Sequence, residues 1–208
     1  MAKLDIQKTR ELLQDFNFKL LFIDELGWLN PVVKKRQTID VNGAVFDIRH
    51  IAQLGGVVVV EVTSADGVMP QAKMRAAVHR EFSKLYFENL LIFVDKERTH
   101  SLWYWVKREG KQNIAREHLY MKGQPGDLFL SKLNAMVVDI GAFEQGEPSV
   151  IDAVKRLKQA LDVEATTKRF YTEYDALRLQ FVELIEGIDD ERKRQWYASV
   201  LLNRLMFI

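Results

Sequence analysis

One run of β-branched residues limits the architectures open to this chain. Residues 57–62 read Val-Val-Val-Val-Glu-Val, so Glu61 is the only polar residue among them. A strand without polar alternation has both faces covered, which is typical of the centre of a sheet in α/β proteins. The run therefore predicts a central strand with helices on both sides.

The segments on either side of that run carry the signals of the remaining elements. Asn42-Gly43 is typical of a two-residue hairpin turn, and Pro70 is typical of the first turn of a helix. Apolar spacing predicts helices at 5–15, 18–26, 71–88 and 127–137, and strands at 37–41, 44–51, 57–62, 90–94, 101–106 and 114–120. The fold class that follows is α/β, with a mixed β-sheet flanked by helices.

The composition changes near residue 140. Two glycines and a proline indicate a linker at 141–148, and Ser149 is suited to cap a helix that runs to about Leu161. Further helix is predicted from 166 onward, with a pause at 187–190.

These signals predict two parts, an α/β domain at 1–140 and a helical connector at 141–208. The last helix carries no stop signal before an apolar end. We therefore expect the chain to be the front piece of a longer protein, with the connector as the truncated start of its next domain.

Composition excludes several classes of site. The chain has no cysteine, which excludes a disulfide framework, a thiolate zinc site and a cysteine nucleophile. The absence of cysteine also favours a reducing, cytoplasmic setting. Residues 1–10 carry charges of both signs and no apolar core of signal-peptide length, and the longest apolar run is too short to span a membrane, so we expect neither secretion nor a membrane partner.

The charge is unevenly distributed along the chain. The net charge is only +1, yet residues 67–122 carry eleven Lys and Arg against six Asp and Glu. This excess indicates either a surface that binds a polyanion or a solvated surface that happens to be basic.

Two carboxylates stand out in the predicted sheet, Asp47 on the second strand and Glu61 on the third. The order helix, hairpin, strand, helix, strand resembles the core of PD-(D/E)xK nucleases, which hydrolyse phosphodiesters with a divalent metal ion. In that core an acid lies on each of these strands, and a lysine follows the second acid by two residues. The resemblance implies that Asp47 and Glu61 are catalytic residues that hold Mg²⁺, which would activate a water molecule.

The lysine of that pattern is missing, because Thr63 takes its place. Lys73, at the start of the following helix, is the candidate for a lysine that has moved within the site. Glu61 also has another interpretation. A carboxylate among valines must be paired, metal-bound or protonated, so it either binds a metal ion or turns to solvent or to Arg49.

Trp103 and Trp105 share one face of a predicted strand, where they either stack on unpaired bases or pack in the core. The four histidines show no spacing typical of metal ligands. The sequence has no Walker loop, no glycine-rich dinucleotide turn and no Gly-x-Ser-x-Gly elbow, so nucleotide-driven and acyl-transfer chemistry have no support.

Three stretches carry a wider resemblance: 21–28, 91–95 with 102–106, and 196–208. Together they resemble the N-terminal region of large bacterial type II restriction-modification proteins. In these a nuclease-like segment precedes a helical connector and an adenine-specific DNA methyltransferase. The resemblance implies double-stranded DNA and the C-terminal methyltransferase domain as partners. It implies S-adenosylmethionine only for that C-terminal part, whose motifs this chain lacks.

Two hypotheses follow from the resemblance. The first is a Mg²⁺-dependent endonuclease domain of a restriction-modification protein. The second is a catalytically inactive DNA-binding or scaffolding module of the same protein. Carboxylates close enough to share an ion beside a basic groove favour the first, whereas carboxylates that point apart or pair with Arg49 or Arg75 favour the second.

Overall fold

The computed structural model describes residues 4–110, 112–143 and 146–206. It forms two compact units, Met1–Asp162 and Val163–Ile208. No helix in the described part of the chain is both long enough and apolar enough to cross a membrane.

A six-stranded mixed sheet forms the centre of the first unit, which confirms the predicted α/β class. Neighbouring strands follow the order of the chain, and all pairs are antiparallel except the third and fourth, which are parallel. The predicted central strand is indeed the third of six. The strands are β1 (Gln37–Val41), β2 (Ala44–Leu54), β3 (Val57–Ser64), β4 (Asn89–Val94), β5 (His100–Glu109) and β6 (Gln112–Met121).

Helices cover both faces of this sheet. The α-helices of the first unit are α1 (Ile6–Gln14), α2 (Phe18–Leu20), α3 (Ala72–Ser83), α4 (Asp127–Leu133) and α5 (Val150–Leu161). A π-helical turn at Leu21–Glu25 continues α2, and 3₁₀ turns follow α4 at Asn134–Met136 and Ile140–Phe143.

Local sequence chemistry explains the hairpin that starts the sheet. Asn42 and Gly43 both have positive φ, 55° and 80°, as a type I′ turn requires. The side chain of Asp40 accepts a hydrogen bond from the Gly43 N–H at 3.0 Å. The turn sets the register in which Thr38 lies opposite Asp47.

The helix in the crossover between the parallel strands is shorter than the predicted helix 71–88, since α3 ends at Ser83. The side-chain amide of Asn89 donates to Ser83 Oγ at 3.0 Å and to the Tyr86 carbonyl at 2.8 Å. These bonds hold the turn that directs the chain into β4, and Leu85 is left exposed beside it.

Alternate residues of the strands form two cores. Val59, Ile92, Trp103 and Trp105 are buried on the face covered by α1, α2, α4 and α5, which we call the helix-rich face. Both tryptophans therefore pack in the core. The opposite face, which we call the α3 face, packs against α3 through residues such as Val60, Val62, Phe93 and Tyr104.

The first unit extends past the boundary expected at 140/141, because α5 packs on the sheet. Its residues Ala153, Leu157 and Leu161 belong to the core of the helix-rich face. The predicted cap is present: Ser149 and Asp152 form a reciprocal capping box at the start of α5.

The second unit contains two helices, as the apolar spacing predicts. They are α6 (Val163–Glu183) and α7 (Glu191–Met206), and they are in contact with each other. The chain between them turns at Gly187, where φ is +83°.

Candidate functional site

The two predicted acids lie on one face of the central strands. Asp47 on β2 pairs with Thr63 on β3, and Arg49 pairs with Glu61. All four positions belong to the helix-rich face, since they alternate with residues of the other core. Asp47 is exposed and Thr63 is half-buried, so the helices leave this end of the face open to solvent.

Glu61 is buried and bound by two arginines. Its side chain is 8% exposed, whereas those of Arg49 and Arg98 are 41% and 39% exposed. Arg49 Nη2 donates to Oε2 at 2.8 Å. Arg98 Nη1 donates to Oε1 at 2.9 Å, and Arg98 Nη2 donates to Oε2 at 3.1 Å. Both oxygens of Glu61 are thus engaged in charge-assisted hydrogen bonds.

A tight turn after β4 positions Arg98. Asp95 accepts hydrogen bonds from the N–H groups of Thr99 at 2.9 Å and His100 at 2.8 Å. Arg98, at the top of this turn, has a φ of +52°. Burial by itself would raise the pKa of Asp95, but the hydrogen bonds from Thr99 and His100 hold that pKa below its ordinary value.

The loop between α1 and α2 supplies the other support for Arg98. Arg98 Nη2 donates to the Phe16 carbonyl at 2.8 Å, and the guanidinium carbon lies 5.9 Å from the centroid of the Phe16 ring. Phe16 itself has a φ of +53°, which turns the chain there between the two helices. Arg98 therefore joins three segments that are far apart in sequence. We call Arg49, Glu61 and Arg98 the Glu61 cluster.

Asp47 stands beside this cluster without joining it. Its Oδ1 accepts one long hydrogen bond, 3.4 Å, from the Thr38 hydroxyl. Arg49, two residues further along β2, lies on the same face. The structure therefore brings Asp47 and Glu61 to one surface, with guanidinium groups bound to the buried acid.

Lys73 lies on the other side of the sheet. It lines a cavity of about 370 Å³ together with Phe46, Ser64 and Met74. Phe46 belongs to the core of the α3 face. The structure therefore places Lys73 beside a separate cavity and does not bring it together with the two acids.

The donor set does not fit Mg²⁺ in this arrangement. Mg²⁺ requires near-octahedral oxygen coordination at about 2.1 Å, which needs free carboxylate lone pairs. Both Glu61 oxygens face guanidinium donors instead. Among the described residues there is no group of three or more His, Asp or Glu side chains arranged to hold a metal ion.

Two cations of the basic stretch 67–122 are paired with acids. Arg75 makes two hydrogen bonds to Glu117, at 3.0 and 2.6 Å, and Arg108 binds Glu88 at 2.7 Å. Arg98, from the same stretch, reaches the candidate site.

The pair of Arg49 with Glu61 is one of the alternatives that the sequence leaves open, and the structure contains it. The role of Arg98 was missed, because 37 residues separate it from Glu61. The available signal was the Asp95-Lys96-Glu97-Arg98-Thr99 segment, typical of a tight turn after a strand.

Comparisons of the chain with protein-family models, with curated proteins and with solved structures find no match.

Proposed function

We propose that this chain is a DNA-binding module that has a nuclease-like core but does not cleave DNA, and that it belongs to a restriction-modification protein. The observation that carries the proposal is the hydrogen bonding of the Glu61 carboxylate. Two arginines engage both oxygens of the acid that a nuclease of this kind would use to bind its metal ion.

The arrangement of elements supports the nuclease-like core. Two helical segments precede three antiparallel strands, a crossover helix follows, and the next strand is parallel to the third. The acids lie on the second and third of these strands, on one face, as the resemblance implies. The restriction-modification context has its support in the three sequence stretches described above.

A Mg²⁺-dependent endonuclease is the second candidate. Asp47 and Glu61 share a face, and Asp47 is exposed to solvent. This function requires Arg49 and Arg98 to leave Glu61 when metal and DNA arrive. Withdrawing two guanidinium groups from a buried carboxylate is costly, which is why we favour the first candidate.

The test combines cleavage and binding. Supercoiled plasmid is incubated with the purified chain in EDTA, Mg²⁺ and Mn²⁺, and DNA retention is measured in a gel at low salt. We expect equal retention in all three media and no nicking. Metal-dependent nicking that disappears in Glu61→Gln would establish the endonuclease instead, and a chain without retention in any medium would contradict DNA binding.

A further inference from the structure

We propose that Arg49 and Arg98 form a binding site for a phosphodiester of the DNA backbone, in the position that a metal ion occupies in a cleaving nuclease. We call these two side chains the guanidinium pair. The identity of the phosphate as DNA depends on the function proposed above, whereas the anion site itself depends only on the geometry of the cluster.

Burial separates the charges of the Glu61 cluster. The carboxylate is almost fully buried, while about two fifths of each arginine side chain is exposed. An anion that approaches from solvent therefore meets the two guanidinium groups before it meets Glu61. The cluster sums to one positive charge, which matches a single phosphodiester.

Arg49 has donors to spare. It binds Glu61 through Nη2, and no acceptor within residues 4–110, 112–143 and 146–206 bonds its Nε or Nη1. Arginine carries five N–H donors in a planar fork that matches two phosphate oxygens. The free edge of Arg49 can therefore bind phosphate while the ion pair with Glu61 stays intact.

Glu61 and Phe16 hold the guanidinium pair in place before any ligand arrives. Arg98 is fixed by two bonds to Glu61 and one to the Phe16 carbonyl, and Arg49 by its bond to Glu61. Ordering a long side chain on binding costs conformational entropy, and part of that cost is already met in the folded protein. Glu61 is thus a positioning residue for the anion site.

Asp47 allows an experiment to distinguish this anion site from a metal site. It is an exposed carboxylate on the same face, two residues from Arg49. A negative charge there repels a phosphate bound to arginine, but it would be a ligand for a bound metal ion. Asp47→Asn therefore has opposite effects on the two kinds of site.

The experiment measures the affinity of a short fluorescent duplex by anisotropy, in EDTA and over a range of salt concentrations. Asp47→Asn is expected to bind about 2- to 5-fold more tightly than the parent at low salt, because one repulsive charge beside a phosphate is removed. Arg49→Ala is expected to bind about 3- to 10-fold more weakly, with a salt slope smaller by about one.

The matched control is Arg80→Ala. Arg80 is an exposed arginine on α3, which covers the other face of the sheet. The Arg80→Ala variant removes the same charge as Arg49→Ala, and its affinity for the duplex is expected to stay close to that of the parent. Thermal unfolding of each variant checks that the fold is retained.

A second arm tests the anion site without DNA. Inorganic phosphate is titrated into the parent and into Arg49→Lys, and the arginine side-chain Nε–H signals are followed by NMR. In the parent we expect a saturable shift of the Arg49 signal. In Arg49→Lys we expect the Arg98 signal to respond more weakly than it does in the parent, because lysine keeps the charge but lacks the planar fork of donors.

Each result has one meaning. Equal or weaker duplex binding by Asp47→Asn, or parental affinity in Arg49→Ala, would overturn the phosphate site on DNA while leaving the DNA-binding function standing. A saturable Arg49 shift with phosphate, in a chain that binds no duplex, would support the anion site and contradict the proposed function. No shift with phosphate and no duplex binding would overturn both.

Discussion

In the described part of the first unit, two buried carboxylates each bind two cations, and they differ in where the cations lie. The side chain of Asp162, at the end of α5, is 2% exposed; Lys107 Nζ lies 2.8 Å from its Oδ2 and Arg116 Nε lies 2.9 Å from its Oδ1. We call these three residues the Asp162 cluster. Its cations are only 13% and 17% exposed, whereas both arginines of the Glu61 cluster reach solvent.

This difference in exposure separates a structural role from a binding role. The Asp162 cluster connects the end of α5 to β5 and β6, and its charges are turned toward one another inside the protein. The Glu61 cluster also combines one carboxylate with two cations, but its positive groups face outward on an open part of the sheet. The comparison predicts that loss of Asp162 chiefly lowers stability and that changes around Glu61 chiefly alter ligand binding.

The largest expected effect is on the free energy of unfolding of Asp162→Asn. We expect a loss of about 2 to 3 kcal/mol, because two largely buried cations lose their shared carboxylate. Urea unfolding measures it. The control is Glu109→Gln, which removes the exposed partner of Lys107 and should cost clearly less than Asp162→Asn, because solvent screens that pair. Equal losses in the two variants would contradict the claim that the buried Asp162 stabilises the fold more than the exposed Glu109 does.

A smaller loss of stability is expected for Glu61→Gln, about 1 to 2 kcal/mol, since the freed arginines can turn to water. The same urea titration measures it, and duplex binding is measured alongside. A loss equal to or larger than that of Asp162→Asn would contradict the distinction between the two clusters.

The smallest effect on stability is the pH dependence that Asp162 contributes. Burial would raise the pKa of Asp162, but hydrogen bonds from Lys107 and Arg116 hold that pKa below the ordinary 3.8. The unfolded chain therefore binds a proton at higher pH than the folded chain. The contribution of Asp162 is complete above pH 3.8 and is lost as the pH falls through the lower, folded-state pKa.

Urea midpoints measured across that acid range test this sign. The parent should lose stability more steeply than Asp162→Asn as the pH falls below 3.8, because the asparagine has no proton to gain. Parallel curves for the two proteins would show that the carboxylate of Asp162 makes no such contribution.

The sheet was predictable because its signals are local. The valine run fixed the central strand, Asn42-Gly43 fixed the hairpin, and Ser149 fixed the start of α5. The end of α3 and the π-helical turn were missed, since they depend on contacts that spacing does not encode. These are the bonds from Asn89 to Ser83 and the packing of Trp28 on Phe22, whose ring centroids lie 5.2 Å apart.

The candidate site was predictable in part. Placing Asp47 and Glu61 on neighbouring strands required only the hairpin and the register, and pairing Arg49 with Glu61 required the alternation of β2 and β3. Arg98 could not be placed there from sequence, because its position depends on how the turn after β4 meets the loop at Phe16. Lys73 could be assigned to the start of α3, but not to a face of the sheet.

Whether arginines or a metal ion bind the Glu61 carboxylate is tested most directly by the affinity of Asp47→Asn for duplex DNA with and without Mg²⁺. We expect tighter binding than the parent in both media, by about 2- to 5-fold at low salt, with no specific gain from Mg²⁺ in either protein. If Mg²⁺ strengthens binding by the parent and Asp47→Asn abolishes that gain, Asp47 and Glu61 hold a metal ion, and the arginines do not take its place.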